Sequence, residues 1–162
     1  MMRYFIDTEY IFRTSRASGG TIEPLSIGIV AEDGREFYRV CYPAIRSQML
    51  INLMPEFVQQ HVLPVLDNDA ENTCPLESIG NDLRFFIGDD TPEWWGDYAD
   101  FDYVALSIIM GGFDNWPDGW PMYINDLRQE AIPEVASEIP HNALADARAV
   151  RDAFDWSRQV PT

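Results

Sequence analysis

Four carboxylates and one imidazole, spread along the chain, have types and spacings that suit hydrolytic chemistry: Asp7 and Glu9 in YFIDTEY, Asp102 in DFDYVAL, and His141 with Asp146 in HNALADARA. Asp7 and Glu9 are two apart, so on a strand both side chains leave from one face. Paired carboxylates attract a hard cation, and Mg²⁺ usually joins one or two of them to waters and phosphate oxygens. With Asp146 and Asp102 as further acids, the set reads as a two-metal phosphodiesterase centre. One ion would lower the pKa of the attacking water and the other would stabilise the leaving oxygen. His141 is the candidate general base, because an imidazole titrates near working pH.

Taken singly, each piece has a plainer reading. Asp-x-Glu can be solvated charge at the end of a strand, and Asp102 a helix N-terminal acid favoured by the macrodipole. His141 can be a loop residue after Pro140, and Asp146 one more exposed helical acid. The conjunction of all five carries the inference.

The elements that must position them follow from pattern. Residues 2 to 9 read as a first strand ending in its carboxylates. SRASGG at 15 to 20 reads as a loop, and TIEPLSIGIVAEDGREFYRVCYP as two strands around Glu32-Asp33-Gly34-Arg35, where Asp-Gly is a hairpin signal. Helical patterns cover about 53 to 65 and 75 to 88, the second opening at Pro75 and closing near Gly88. PEWWGDY is expected to be a fourth strand. Phe101, Val104, Ala105, Ile108 and Ile109 have helical spacing ended by a Gly pair, which puts Asp102 near a helix N-terminus. PMYINDLRQEA reads as a short strand running into a helical turn, and Asn142 to about Arg158 as the last helix. Three antiparallel strands, then strands alternating with helices, make an α/β layered fold with a mixed central sheet.

Length and composition, 162 residues with 46% hydrophobic and 13% aromatic, suit a single domain over 1–162. No apolar run is long enough for a membrane span and no signal-peptide pattern opens the chain, so a cytoplasmic protein without a membrane partner is expected. Cys41 and Cys74 lie far apart without neighbouring metal-ligand spacing and read, like His61, as structural. The formal charge of −16 excludes a broad electrostatic surface for nucleic acid. It permits a local site where divalent cations supply the positive charge.

The arrangement resembles the DEDDh family of 3′→5′ exonucleases, through Asp7-Thr8-Glu9, then Phe101-Asp102 followed by Val104-Ala105-Leu106, then His141-Asn142-Ala143-Leu144-Ala145-Asp146-Ala147. The resemblance implies a ribonuclease H-like fold. It implies two Mg²⁺ or Mn²⁺ ions held by Asp7, Glu9 and Asp146, with Asp102 supporting them partly through water, and His141 as the base. RYFIDTEYI, the TIEPLSIGIVAEDGREFY hairpin, HVLP and YVAL are similar to the small bacterial and phage exoribonucleases typified by mycobacterial RNase AS. That group implies single-stranded, adenylate-rich RNA as substrate and a homodimer as partner state. Two features depart from it: GDYADF before Asp102 brings two additional acids, and the chain lacks the positively charged surfaces that many RNA enzymes use.

Substrate affinity would then lean on aromatic stacking, worth roughly 1–3 kcal/mol per base. Tyr98 and Phe101 are the favoured rings because they lie close to Asp102 in sequence, and the resemblance implies that Thr8 meets the terminal nucleotide through its backbone. The expected activity is release of nucleoside 5′-monophosphates from the 3′ end of single-stranded RNA. The alternatives are the same chemistry on DNA or short oligonucleotides, and a non-catalytic RNA-binding domain of the same fold.

Overall fold

The computed structural model describes residues 1–15, 19–42, 51–67, 69 and 71–159. Six strands form one sheet: β1 Met2–Ser15, β2 Gly19–Ala31, β3 Glu36–Tyr42, β4 Thr73–Pro75, β5 Pro92–Gly96 and β6 Asn125–Asp126. Their order is β4-β3-β2-β1-β5-β6. The first three pair antiparallel, while β5 on β1, β6 on β5 and β4 on β3 are parallel. The mixed sheet expected from the sequence is therefore present. Among the described residues its α-helices are α1 Leu76–Ile87, α2 Asp100–Ile109 and α3 Ala143–Gln159.

Strand alternation sorts the side chains of β1 between two faces. Tyr4 and Ile6 join Ile27, Ile29, Ile79, Leu83 and Leu106 in the core beneath α1 and α2. Phe5 faces the other way, onto Val150, Ala153 and Phe154 of α3. Asp7 and Glu9 share the parity of Phe5 and so emerge on the α3 face.

Gly28 lies opposite Asp7 in the β1–β2 register and sets how closely α3 approaches. A Cβ at this position would stand 2.3 Å from the backbone of Ala143 and Leu144. Only a residue without one admits the helix N-terminus here. Ala143 and Ala147, both fully buried, complete the close fit.

Several expectations need correction. β1 runs past the carboxylates to Ser15, so Asp7 and Glu9 lie mid-strand, with the β1–β2 register shifting between Glu9 and Tyr10. Of the loop expected at 15–20, Ser15 ends β1 and Gly19 and Gly20 begin β2, while residues 16–18 lie outside the described residues. The segment expected as a helix at 53–65 is irregular: a π-helical turn at Val58–Val62 passes into a 3₁₀ turn at Leu63–Val65. A three-residue strand at Thr73–Pro75 went unexpected, which makes Pro92–Gly96 the fifth strand. The Asp-Gly turn after Ala31 is present, with Gly34 at φ 91.

Candidate active site

Asp7 and Glu9 project from β1, and Asp146 reaches them from the first turn of α3. One carboxylate oxygen from each falls within 4.8 Å of the other two. Local sequence explains the approach of Asp146. Asn142 caps α3 by accepting the Ala145 N–H at 3.1 Å, and its Nδ2 donates to the Val65 carbonyl at 2.8 Å. The Asp146 Oδ2 accepts the backbone N–H of His141 at 2.9 Å. His141 itself sits at φ 67, in the left-handed region that a non-glycine residue enters only where its surroundings hold it.

Asp102 occupies a different place. The parallel pairing of β1 with β5 stops at Phe5 and Trp95, so the Thr8 N–H has no strand partner on that side. Asp102 Oδ1, from the first turn of α2, accepts both the Thr8 N–H at 2.8 Å and the Thr8 hydroxyl at 2.6 Å. Asp102 thus braces the residue between Asp7 and Glu9. It lies outside the three-carboxylate group itself.

Electrostatics mark the cluster as strained without a counter-charge. Burial pushes Glu9 up to about 8, and the negative charges of Asp146 and Asp102 add to the rise. Asp7 stands well above the usual carboxylate range, from burial first and then from Asp102, Glu9 and Asp146. Burial likewise raises Asp102, against the two Thr8 hydrogen bonds that pull it down, and raises Asp146. Asp7 Oδ2 is shut off from water with no hydrogen-bond donor among the described residues. Clustered carboxylates that repel one another, one of them with a buried oxygen that no donor among the described residues meets, are the kind of oxygen set a hard divalent cation takes.

A pH dependence follows. Between about pH 4.5 and about pH 8 the folded, metal-free chain holds a proton on Glu9 that the unfolded chain has released, and the raised Asp7 carboxyl acts in the same direction. Its stability should therefore fall as pH rises through that window, and Glu9→Gln should flatten the slope. Urea unfolding midpoints in EDTA at pH 5, 6.5 and 8 read this directly; equal slopes for the two proteins would refute the repulsive cluster.

A cavity of about 360 Å³ opens beside the carboxylates, lined by Asp7, Asp97, Ser137, His141, Asp146 and Val150 among others. That volume is in the range of small-ligand sites. Arg128 forks onto Asp97 and also reaches Glu134 at 2.7 Å.

The expected substrate-contact residues are divided. Thr8 is buried and engaged with Asp102. Tyr98 is exposed, at φ 54, beneath the Arg128 guanidinium at 4.7 Å from the ring centre. Phe101, half exposed, meets the rings of Tyr10 at 5.7 Å and Phe12 at 6.3 Å, forming an aromatic strip beside Glu9 and Asp102. Trp94 and Trp120 are core residues. Sequence reasoning missed Tyr10, Phe12, Asn142 and Gly28. A lone Gly inside SIGIV is the one of these with a readable signal, since glycine within a strand marks close backbone approach.

Comparisons with known proteins bear on the same geometry. Residues 2–156 match the family described as the 3′-5′ exoribonuclease Rv2179c-like domain. The chain is 36% identical over 157 residues to 3′-5′ exoribonuclease Rv2179c of Mycobacterium tuberculosis H37Rv, covering 91% of this chain and 88% of that protein. The same figures hold for 3′-5′ exoribonuclease MT2234.1 of strain CDC 1551. Among solved structures, exonuclease I aligns with a TM-score of 0.59 at 15% identity over 96% of this chain. E. coli exonuclease I in complex with a 5cy-dT13 oligonucleotide aligns with a TM-score of 0.58 at 16% identity over 98% of the chain. The chain spans only 42% and 40% of those two structures' lengths. At such identity the likeness speaks to fold alone, and that fold is ribonuclease H-like, as the sequence motifs imply.

Proposed function

Because the chain belongs to the 3′-5′ exoribonuclease Rv2179c-like domain family, we propose that it removes nucleoside 5′-monophosphates one at a time from the 3′ end of single-stranded RNA, at the Asp7, Glu9 and Asp146 cluster. The observation that carries this reading is the convergence of those three carboxylates within 4.8 Å across two elements far apart in sequence. The residues fit two Mg²⁺ or Mn²⁺ ions, with Asp7, Glu9 and Asp146 as ligands and Asp102 in support. Such ions, when bound, acidify the attacking water and offset the charge that builds on the phosphate and the leaving oxygen.

The chain's own groups perform the rest. His141 accepts the proton of the attacking water, from a backbone position tied to Asp146. Asp102 holds Thr8, and with it the spacing of Asp7 and Glu9, through its paired hydrogen bonds. Since the Thr8 N–H and hydroxyl are engaged, its backbone carbonyl is what it offers the terminal nucleotide. Phe101, with Tyr10 alongside, provides a ring surface for bases, and Tyr98 a second one at the rim. Stacking supplies affinity that a chain of charge −16 cannot draw from phosphate contacts. Adenylate-rich RNA, cytoplasmic action and a homodimer belong to the same reading.

The test is chromatographic. With Mg²⁺ or Mn²⁺, oligo(A), oligo(U) and their DNA counterparts should yield nucleoside 5′-monophosphates, with oligo(A) consumed first. His141→Ala should slow the reaction by roughly 10²- to 10⁴-fold, the usual size of a general-base contribution. Release of 3′-monophosphates, or a rate unchanged in His141→Ala, would contradict the mechanism.

A further inference from the structure

His141 has a second set of neighbours, which are rings rather than carboxylates. The Phe57 and His61 rings, one helical turn apart, lie 4.8 Å from each other. Phe57 meets His141 edge-on at 5.0 Å and 85°, and His61 stands 6.2 Å from it. His141 and Asp146 line the cavity beside Asp7. His141 therefore adjoins both a wall of rings and the cavity beside the proposed reaction centre.

The segment that carries the two rings is built to stay in place. Val58 and Val62 are buried among Ile11, Leu25, Val40 and Ala143, which leaves Phe57 and His61 on the outer side. The turn between them is π-helical, a rare winding that recurs frequently at functional sites. The Val65 carbonyl just beyond it accepts from Asn142 Nδ2, so this segment is joined to the residue that follows His141. Asp146 fixes only the backbone N–H of His141, and rotation about its side-chain bonds needs a separate restraint. Phe57 remains 54% exposed, so burial of its own surface does not account for its position.

We propose that Phe57 and His61 are positioning residues whose rings clamp the imidazole of His141 and keep it turned into the cavity beside Asp7 and Asp146. The inference rests on His141 being the general base. A base displaced by about 1 Å can lose on the order of 10²-fold in rate. Loss of one of two clamping rings should fall below that.

Steady-state kinetics on oligo(A) with Mg²⁺, together with histidine ring-proton NMR of the metal-free protein, test the clamp. His61→Ala and Phe57→Ala should each lower kcat by roughly tenfold and leave KM near the wild-type value. His61→Phe, which keeps a ring, should recover most of the loss. In a His141→Ala background, His61→Ala should cause no further loss, since it acts through the missing imidazole. The His141 ring resonances should move in both alanine variants. A raised KM with unchanged kcat would overturn the proposal and assign the rings to substrate contact. A loss that persists undiminished without His141, or His141 resonances that do not move, would overturn it as well. An inactive wild-type chain would instead overturn the function reading, whereas an active one indifferent to both substitutions overturns the clamp alone.

Discussion

Replacing Asp146 with asparagine should lower turnover by more than about 10³-fold, beyond the 10- to 100-fold loss typical of removing an outer-shell partner of a metal ligand. Asparagine is nearly isosteric, and its amide oxygen can still accept the His141 N–H that Asp146 accepts at 2.9 Å. The loop and the start of α3 therefore keep their anchor, and what disappears is one negative charge of the three-carboxylate group. That charge contributes to the raised Glu9 and Asp7 carboxyls. Its removal should raise the melting temperature of the metal-free protein at pH 8. It should also weaken the stabilisation that added Mn²⁺ gives the wild type. Calorimetric melting with EDTA or Mn²⁺, alongside the rate assay, separates these effects. Full activity in the variant would remove Asp146 from the site.

Gly28→Ala should be nearly as damaging, although Gly28 carries no chemistry. Its added Cβ would fall 2.3 Å from the carbonyl carbon and oxygen of Ala143 and from the Leu144 nitrogen. All three are backbone atoms, so no side chain can rotate to make room. α3 must retreat from β2, which costs about 1–3 kcal/mol or more for overpacking. Asp146 and His141 travel with the helix start, so their approach to Asp7, directly across from Gly28, is lost as well. A rate loss on the order of 10²-fold is expected from a displacement near 1 Å. Urea unfolding and kcat together read both effects. Wild-type stability with wild-type turnover would show that α3 does not depend on this contact.

The contrast between these two residues shows what the sequence made legible. The convergence of Asp7, Glu9 and Asp146 was readable from residue types and offsets that the proposed chemistry would need, and strand parity alone puts the first two on one face. The last helix was readable from its spacing, and its bounds at Ala143–Gln159 fall close to expectation. β1 was read too short because the carboxylates resemble an exposed strand end, whereas a register shift at Glu9 lets the strand carry them at its middle. The bracing of Thr8 by Asp102 depends on β5 ceasing to pair at Phe5, a tertiary fact with no local pattern. The same holds for His61. Alone in HVLP it reads as an ordinary surface histidine, and only the folded chain brings it and Phe57 against His141 across eighty residues of sequence. The π-helical turn that follows Phe57 and carries His61 interrupts the regular period on which the helix expectation rested.

The most direct test of the central claim is a time course of 5′-labelled single-stranded oligo(A) with the wild-type chain and Mg²⁺, repeated in EDTA. A ladder shortening steadily from the 3′ end with Mg²⁺ and an intact band in EDTA is the result expected of a metal-dependent 3′→5′ exoribonuclease centred on Asp7, Glu9 and Asp146. Immediate loss of label as a mononucleotide, or shortening that continues in EDTA, would contradict it.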